Sequence, residues 1–158
     1  YELAMLSKST PHVVVLSRQN VKECTPFRKE NMVAKGAYFV SKEALGLTIY
    51  ASGSEVTTAF EVKDLRTKVG IEASIVSMPS IELFESQPAE YKAEILNAKK
   101  RIFIEAGIEG LLTKYIRGGD LFFGLHTFGE SGKPKDLAKY FKMDASSIAE
   151  KIIKSNQL

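Results

Sequence analysis

Short apolar runs, each closed by turn residues and separated by stretches of helical periodicity, limit what this chain can fold into. LTIYA at 47–51, EASIVS at 72–77 and RIFIE at 101–105 are rich in β-branched or aromatic residues and too short for buried helices. After the first of them, SGSE at 52–55 turns into a segment running to about Lys68. There Val56, Ala59, Phe60, Val62, Leu65 and Val69 recur at mostly three- and four-residue intervals, an amphipathic stripe that Gly70 ends as a C-cap would. Short helical segments at 81–86 and 88–96 separate the second strand from the third. GAYFV at 36–40 predicts a strand before this series. A helix near 110–116 and a strand at 121–124 follow it, with closing helices at 134–141 and 145–155, the last capped by Asp144. Strand–helix alternation with near-continuous apolar strands predicts a three-layer α/β/α fold around a mostly parallel sheet.

Ahead of this unit, VVVL at 13–16 reads as one more buried strand. NVKECTPFRKEN at 20–31 is polar, holds Pro26 and lacks periodicity, which marks a linker or exposed loop at a domain boundary. Hydrophobic residues make up 44% of the 158 and charged residues 26%, enough apolar surface for one ordinary core. No apolar run approaches the ~20 residues of a membrane span, and YELAMLSKST is not a signal peptide. A chain beginning at Tyr1 is expected to belong to a longer protein. The net charge of +3 is spread along the chain, unlike the concentrated basic stripe of a nucleic-acid binder. Cys24, the one cysteine, excludes an internal disulfide and a cysteine metal cluster, and reads as a small, partly buried side chain. His12 and His126 lack metal-ligand spacing, and a cytoplasmic location follows as the default.

Several motifs invite a chemical reading. TFGESGKP at 127–134 fails as a phosphate loop, because the first glycine would fall at Thr127 and the magnesium-binding hydroxyl at Pro134. GIEG at 107–110 and GGD at 118–120 match no dinucleotide fingerprint. In SGSE, Gly53 permits close backbone approach and Ser54 stands where an N-cap belongs, at the carboxyl end of a predicted parallel strand. It therefore reads either as helix capping, with Glu55 favouring the helix dipole, or as an anion site. Glu105 ends a predicted strand and reads as a hydrogen-bonded loop carboxylate or a cleft-facing one. In SRQN at 17–20, Arg18 follows VVVL directly, and its planar fork of donors suits phosphate oxygens as well as a surface ion pair.

Taken in order, VLSRQN, GAYFV, IYASGSEV, GIEASIVSMPS, IELFESQPAEYKAEIL, FIEAG and FFGLHTFGESG resemble the transketolase family over essentially the whole chain. That resemblance implies a five-stranded, mostly parallel sheet whose first strand, 36–40, runs antiparallel. It implies that residues 1–20 are the tail of a pyrimidine-binding domain, 21–32 a linker and 33–158 the C-terminal domain of a homodimeric transferase. Such enzymes move a two-carbon ketol unit from a ketose phosphate to an aldose phosphate, using thiamine diphosphate anchored by a divalent metal, Mg or Ca. Arg18 matches the family arginine that binds the sugar phosphate. The other catalytic residues would lie outside this chain, which lacks the GDG…NN diphosphate motif and has no adjacent asparagines. Alone it is thus expected to be an inactive scaffold or dimer-contact unit that binds no cofactor. Its LLTKY segment also departs from the family, which often has a tryptophan before its KY pair. Two other readings remain open. One is a related thiamine enzyme that forms dihydroxyacetone or deoxyxylulose phosphate, the other a non-catalytic module with Gly53 and Ser54 as an anion or nucleotide site.

Overall fold

The computed structural model describes residues 1–24, 29–43, 46–67, 70 and 72–155. Strands β1 (Tyr38–Ser41), β2 (Leu47–Ala51), β3 (Ser74–Ser77), β4 (Lys100–Ile104) and β5 (Leu121–Phe123) form one sheet in the order β1-β3-β2-β4-β5. Central β2 is parallel to β3, with Ile49 opposite Ile75, and to β4, with Ile49 opposite Ile102. β5 continues parallel to β4, whereas β1 runs antiparallel to β3 with an irregularity between Phe39 and Ser41. This is the three-layer α/β/α, mostly parallel arrangement expected, with the one antiparallel strand.

Every residue of β2 and of β3 is buried, which is why both segments read as continuous apolar runs rather than alternating ones. One face of the sheet packs Ile49, Ile75, Ile102 and Ile104 against helices α2 (Glu55–Thr67) and α6 (Ala145–Lys154). From the helices come Val56, Ala59, Val62, Ile148 and Ile152. Ile148 and Ile152 are fully buried, each worth roughly 1.5–3 kcal/mol of transfer energy. Asp144 caps α6 as expected, its Oδ1 accepting the Ser147 N–H at 3.2 Å. Burial works against the Asp144 carboxylate, but hydrogen bonds from Ser147 together with the backbone at Asp144 and Ser146 outweigh it and hold the group below its ordinary range.

The opposite face carries Tyr50, Val76 and Phe103 against α3 (Ile81–Glu85), α4 (Ala89–Ile95) and the turns that follow β4. Tyr50 and Phe103 stack with ring centroids 4.8 Å apart, and the Tyr50 hydroxyl donates to the Ile95 carbonyl at 2.9 Å. Gly36 lets β1 approach this layer. Its φ of +73° lies in the left-handed region, and a β-carbon there would meet the Phe84 backbone nitrogen at 2.0 Å. The remaining helices are α1 (Glu2–Leu6) and α5 (Pro134–Tyr140).

Three expectations need correction. VVVL at 13–16 forms no strand. Val13 and Val15 are 89% and 88% exposed, and the run pairs with none of the five strands. An apolar β-branched run states a preference, but a strand also needs a partner ladder, and none reaches this segment. The helix expected near 110–116 is two tight turns, Glu109–Leu111 and Thr113–Tyr115. A turn of this kind docks Tyr115 inward without the four-residue repeat of an α-helix. GAYFV begins its ladder only at Tyr38, because Gly36 closes the preceding tight turn at Met32–Lys35. Lys68, Val69 and Pro26 lie outside the described residues, while Gly70 has the left-handed φ of +78° that a helix end uses.

Candidate functional site

From β2 the chain crosses to β3 on one side, then back over β2 to β4 on the other. The carboxyl ends of β2 and β4 therefore diverge at a topological switch point, where open α/β sheets form a crevice. Ser52 and Glu105, the residues just past these two strands, meet there. The Ser52 hydroxyl donates to Glu105 Oε2 at 2.5 Å. Glu105 is thus hydrogen-bonded, as one of the two readings expected, and it also lines a cleft, as the other did.

Directly after Ser52, Gly53 turns with a φ of +52° and Ser54 leads into α2. The Glu55, Val56 and Thr57 N–H groups donate to the carbonyls of Ser52, Gly53 and Ser54, so this segment opens the helix. The Ser54 hydroxyl donates to Glu55 Oε1 at 2.9 Å. Burial pushes the Glu55 carboxyl up, its bond from Ser54 pulls it down, and the nearby Glu105 charge adds to the rise. The net shift is upward.

The segment N-terminal to the sheet runs across these carboxyl ends. Val15 lines a cleft of about 400 Å³ beside Tyr50, Ser52 and Glu105. Gln19, Asn20 and Lys22 line a larger one of about 670 Å³ beside Ser54, Glu55 and Thr57. SRQN and SGSE, more than thirty residues apart in sequence, thereby share one opening. Arg18 lies between the two clefts in sequence, exposed, and makes no ion pair or hydrogen bond among the described residues. Cys24 anchors the end of this segment, its Sγ 3.5 Å from Thr57 Oγ1 on α2. His12 and His126 are both exposed, and among the described residues no cluster of His, Cys, Asp or Glu could hold a metal ion.

The profile of the "Transketolase-like TK C-terminal domain" matches residues 36–144, from the turn before β1 to the cap of α6. The chain belongs to the transketolase family. Transketolase from Cereibacter sphaeroides is 37% identical over 152 residues, which cover 95% of this chain and 23% of that protein. Transketolase from Aquifex aeolicus is 34% identical over 159 residues, covering 97% and 23%. Among solved structures, a Pichia stipitis transketolase variant in complex with fructose 6-phosphate superposes with a TM-score of 0.82 at 31% identity, covering 92% of this chain and 21% of that one. Campylobacter jejuni transketolase gives 0.72 at 32% identity, covering 82% and 20%. The chain spans about a quarter of the length of these curated transketolases. No helix among the described residues is long and apolar enough to cross a membrane.

Sequence reading found the carboxyl-end position of SGSE, but it placed SRQN at the end of a VVVL strand that does not form, and it missed the convergence of the two motifs on one cleft. It also missed the Ser52–Glu105 bond. The available signal for that bond was strand order, since two polar residues each directly following a strand become neighbours when those strands are parallel and adjacent.

Proposed function

We propose that this chain is the C-terminal part of a cytoplasmic, homodimeric transketolase that transfers a two-carbon ketol unit from a ketose phosphate to an aldose phosphate. In this reading residues 1–20 belong to a pyrimidine-binding domain, 21–32 form the linker and 33–158 the C-terminal domain. Arg18 anchors the sugar phosphate. The observation that carries the assignment is its setting. The segment holding Arg18 lies over the carboxyl end of the parallel sheet, and its guanidinium is exposed and uncommitted among the described residues. A guanidinium in that state has all its donors available for phosphate oxygens.

Thiamine diphosphate would supply the carbanion chemistry of such an enzyme. The described residues include no carboxylate or histidine cluster suited to its metal, and the sequence has no adjacent asparagines. The described residues do not fit the cofactor. The role left to this chain is to hold the phosphate end of the substrate. A phosphate bound far from the reacting carbonyl contributes binding energy without entering carbon–carbon cleavage.

Gly53 and Ser54 fit helix initiation better than an anion site. The cleft beside them carries Glu55, Glu61 and Glu130 against Lys22 and Lys135. The Ser54 hydroxyl is already committed to Glu55 Oε1, which leaves it no donor for the anion that the alternative reading requires.

The test uses the intact enzyme. Arg18→Ala should raise KM for phosphorylated sugars roughly 10- to 100-fold, the loss expected of one charged hydrogen-bonding partner. Turnover of hydroxypyruvate with an unphosphorylated acceptor should change little. Arg18→Lys should recover part of the loss, since an ammonium keeps the charge but not the fork. Equal loss with both donor classes would remove Arg18 from the phosphate-anchor role.

A further inference from the structure

A third cleft, of about 480 Å³, lies between the end of β5, the α5–α6 turn and the outer face of α6. Its charge is one-sided. Lys139, Lys142, Lys151 and Lys154 line it against a single carboxylate, Glu150. Glu150 pairs with Lys154 at 2.5 Å. Lys139, Lys142 and Lys151 form no ion pair among the described residues. Ser147, Lys151 and Lys154 stand at i, i+4 and i+7 of α6 and so share one helix face. Phe123 is 5% exposed and lies under the Lys151 ammonium, 5.1 Å from it, which fixes that charge over an apolar floor.

The second observation is independent of charge. Helix α5 ends in paired closing bonds, Lys142 N–H to the Lys139 carbonyl at 3.1 Å and Met143 N–H to the Ala138 carbonyl at 2.8 Å. This motif places its next-to-last residue in the left-handed region, a position that glycine ordinarily takes. Here it is Lys142, with φ of +56°, the one non-glycine residue with positive φ among the described residues. A lysine thus stands at the rim of the cleft where the backbone favours glycine.

We infer that this cleft binds an oligophosphate anion, the triphosphate group of a small molecule, on Lys139, Lys142 and Lys151. Ammonium groups around one opening act as point charges for phosphate oxygens, and the seat of Lys151 over Phe123 lowers the cost of ordering it. The site lies apart from Arg18 and does not depend on the phosphate-anchor reading. Its shared chemistry, a chain of phosphates, could come from a nucleoside triphosphate or from inorganic oligophosphate.

Calorimetric titration of the full 158-residue chain with sodium tripolyphosphate, and separately with ATP, tests the assignment. Saturable one-to-one binding is expected, weakening as salt is raised. Lys142→Gly should weaken it about tenfold while the melting temperature stays equal or rises, because glycine relieves the strained backbone. Lys151→Ala should weaken it similarly. Lys42→Ala, which removes a lysine paired with Glu94 on β1's side, should leave it unchanged. Tighter ATP than tripolyphosphate would mark a nucleotide as the source, and equal affinities a bare phosphate chain. Either result supports the site. Absence of saturation at millimolar anion would overturn it, as would a Lys42→Ala loss equal to that of Lys142→Gly, which would mean diffuse attraction.

Discussion

The Ser52 hydroxyl and the Glu105 carboxylate, 53 residues apart in sequence, form a 2.5 Å hydrogen bond between the carboxyl ends of β2 and β4. It ties together the two loops that diverge at the switch point, and it satisfies a carboxylate that is only partly in contact with water. Ser52→Ala should therefore lower the unfolding free energy by roughly 1.5 kcal/mol, the low end for a bond to a charged group, because the site is half exposed. Urea unfolding should show a lower midpoint with an unchanged slope. A wild-type midpoint would mean that water replaces the hydroxyl without loss.

What the sequence disclosed, and what it hid, divides along the range of the interaction. The stripe of Val56, Ala59 and Val62 and the cap at Asp144 are local patterns, and the structure places them as read. VVVL carries as clear a local signal, yet its outcome depends on a partner strand that no local pattern encodes. Arg101 shows the same limit from the other side. It is the second residue of β4, with its side chain 1% exposed, paired with Asp120, which is 7% exposed. Read locally, a charged residue in RIFIE is a blemish. Only the adjacent course of the loop before β5 explains it, since Asp120 also accepts the Arg117 N–H at 2.7 Å and pins that loop. The lysine-lined cleft was equally hidden, because its residues come from α5, the following turn and α6 with no motif spacing.

Glu55 gives stability a pH dependence of definite sign. Burial raises its carboxyl in the folded chain above the unfolded value of about 4.3. Between those two values the folded state holds more protons than the unfolded one, so stability falls as pH rises through that window. Above it, the ionised carboxylate works against the fold in full. Glu55→Gln should flatten this part of the curve and raise the melting temperature at neutral pH, with little change below pH ~4. Denaturation midpoints collected across the acid range would check it, and parallel curves for the two proteins would exclude Glu55 as the source.

Gly36 and Gly70 both have left-handed φ, +73° and +78°, but their surroundings differ. A β-carbon at Gly70 meets nothing within 4 Å, while one at Gly36 collides with the backbone of α3. Gly70→Ala should thus cost only about 1 kcal/mol of backbone strain. Gly36→Ala adds a steric conflict that no side-chain rotation relieves, and should cost more than about 3 kcal/mol. Thermal melts of the two variants should differ accordingly, and equal melting temperatures would show that β1 can move away from α3.

The placement of β2 at the centre of the sheet has a consequence for the chain as it is made. Leu47 waits for Lys100, 53 residues further on, before its second side is paired. At ribosomal speeds of roughly 5–20 residues per second, that interval lasts about 3–10 seconds. For that time a strand destined to be fully buried presents an unfilled row of backbone donors and acceptors, the surface on which nascent chains adhere to one another. Translation rate between residues 47 and 100, rather than final stability, would then set how much of this protein reaches its native sheet.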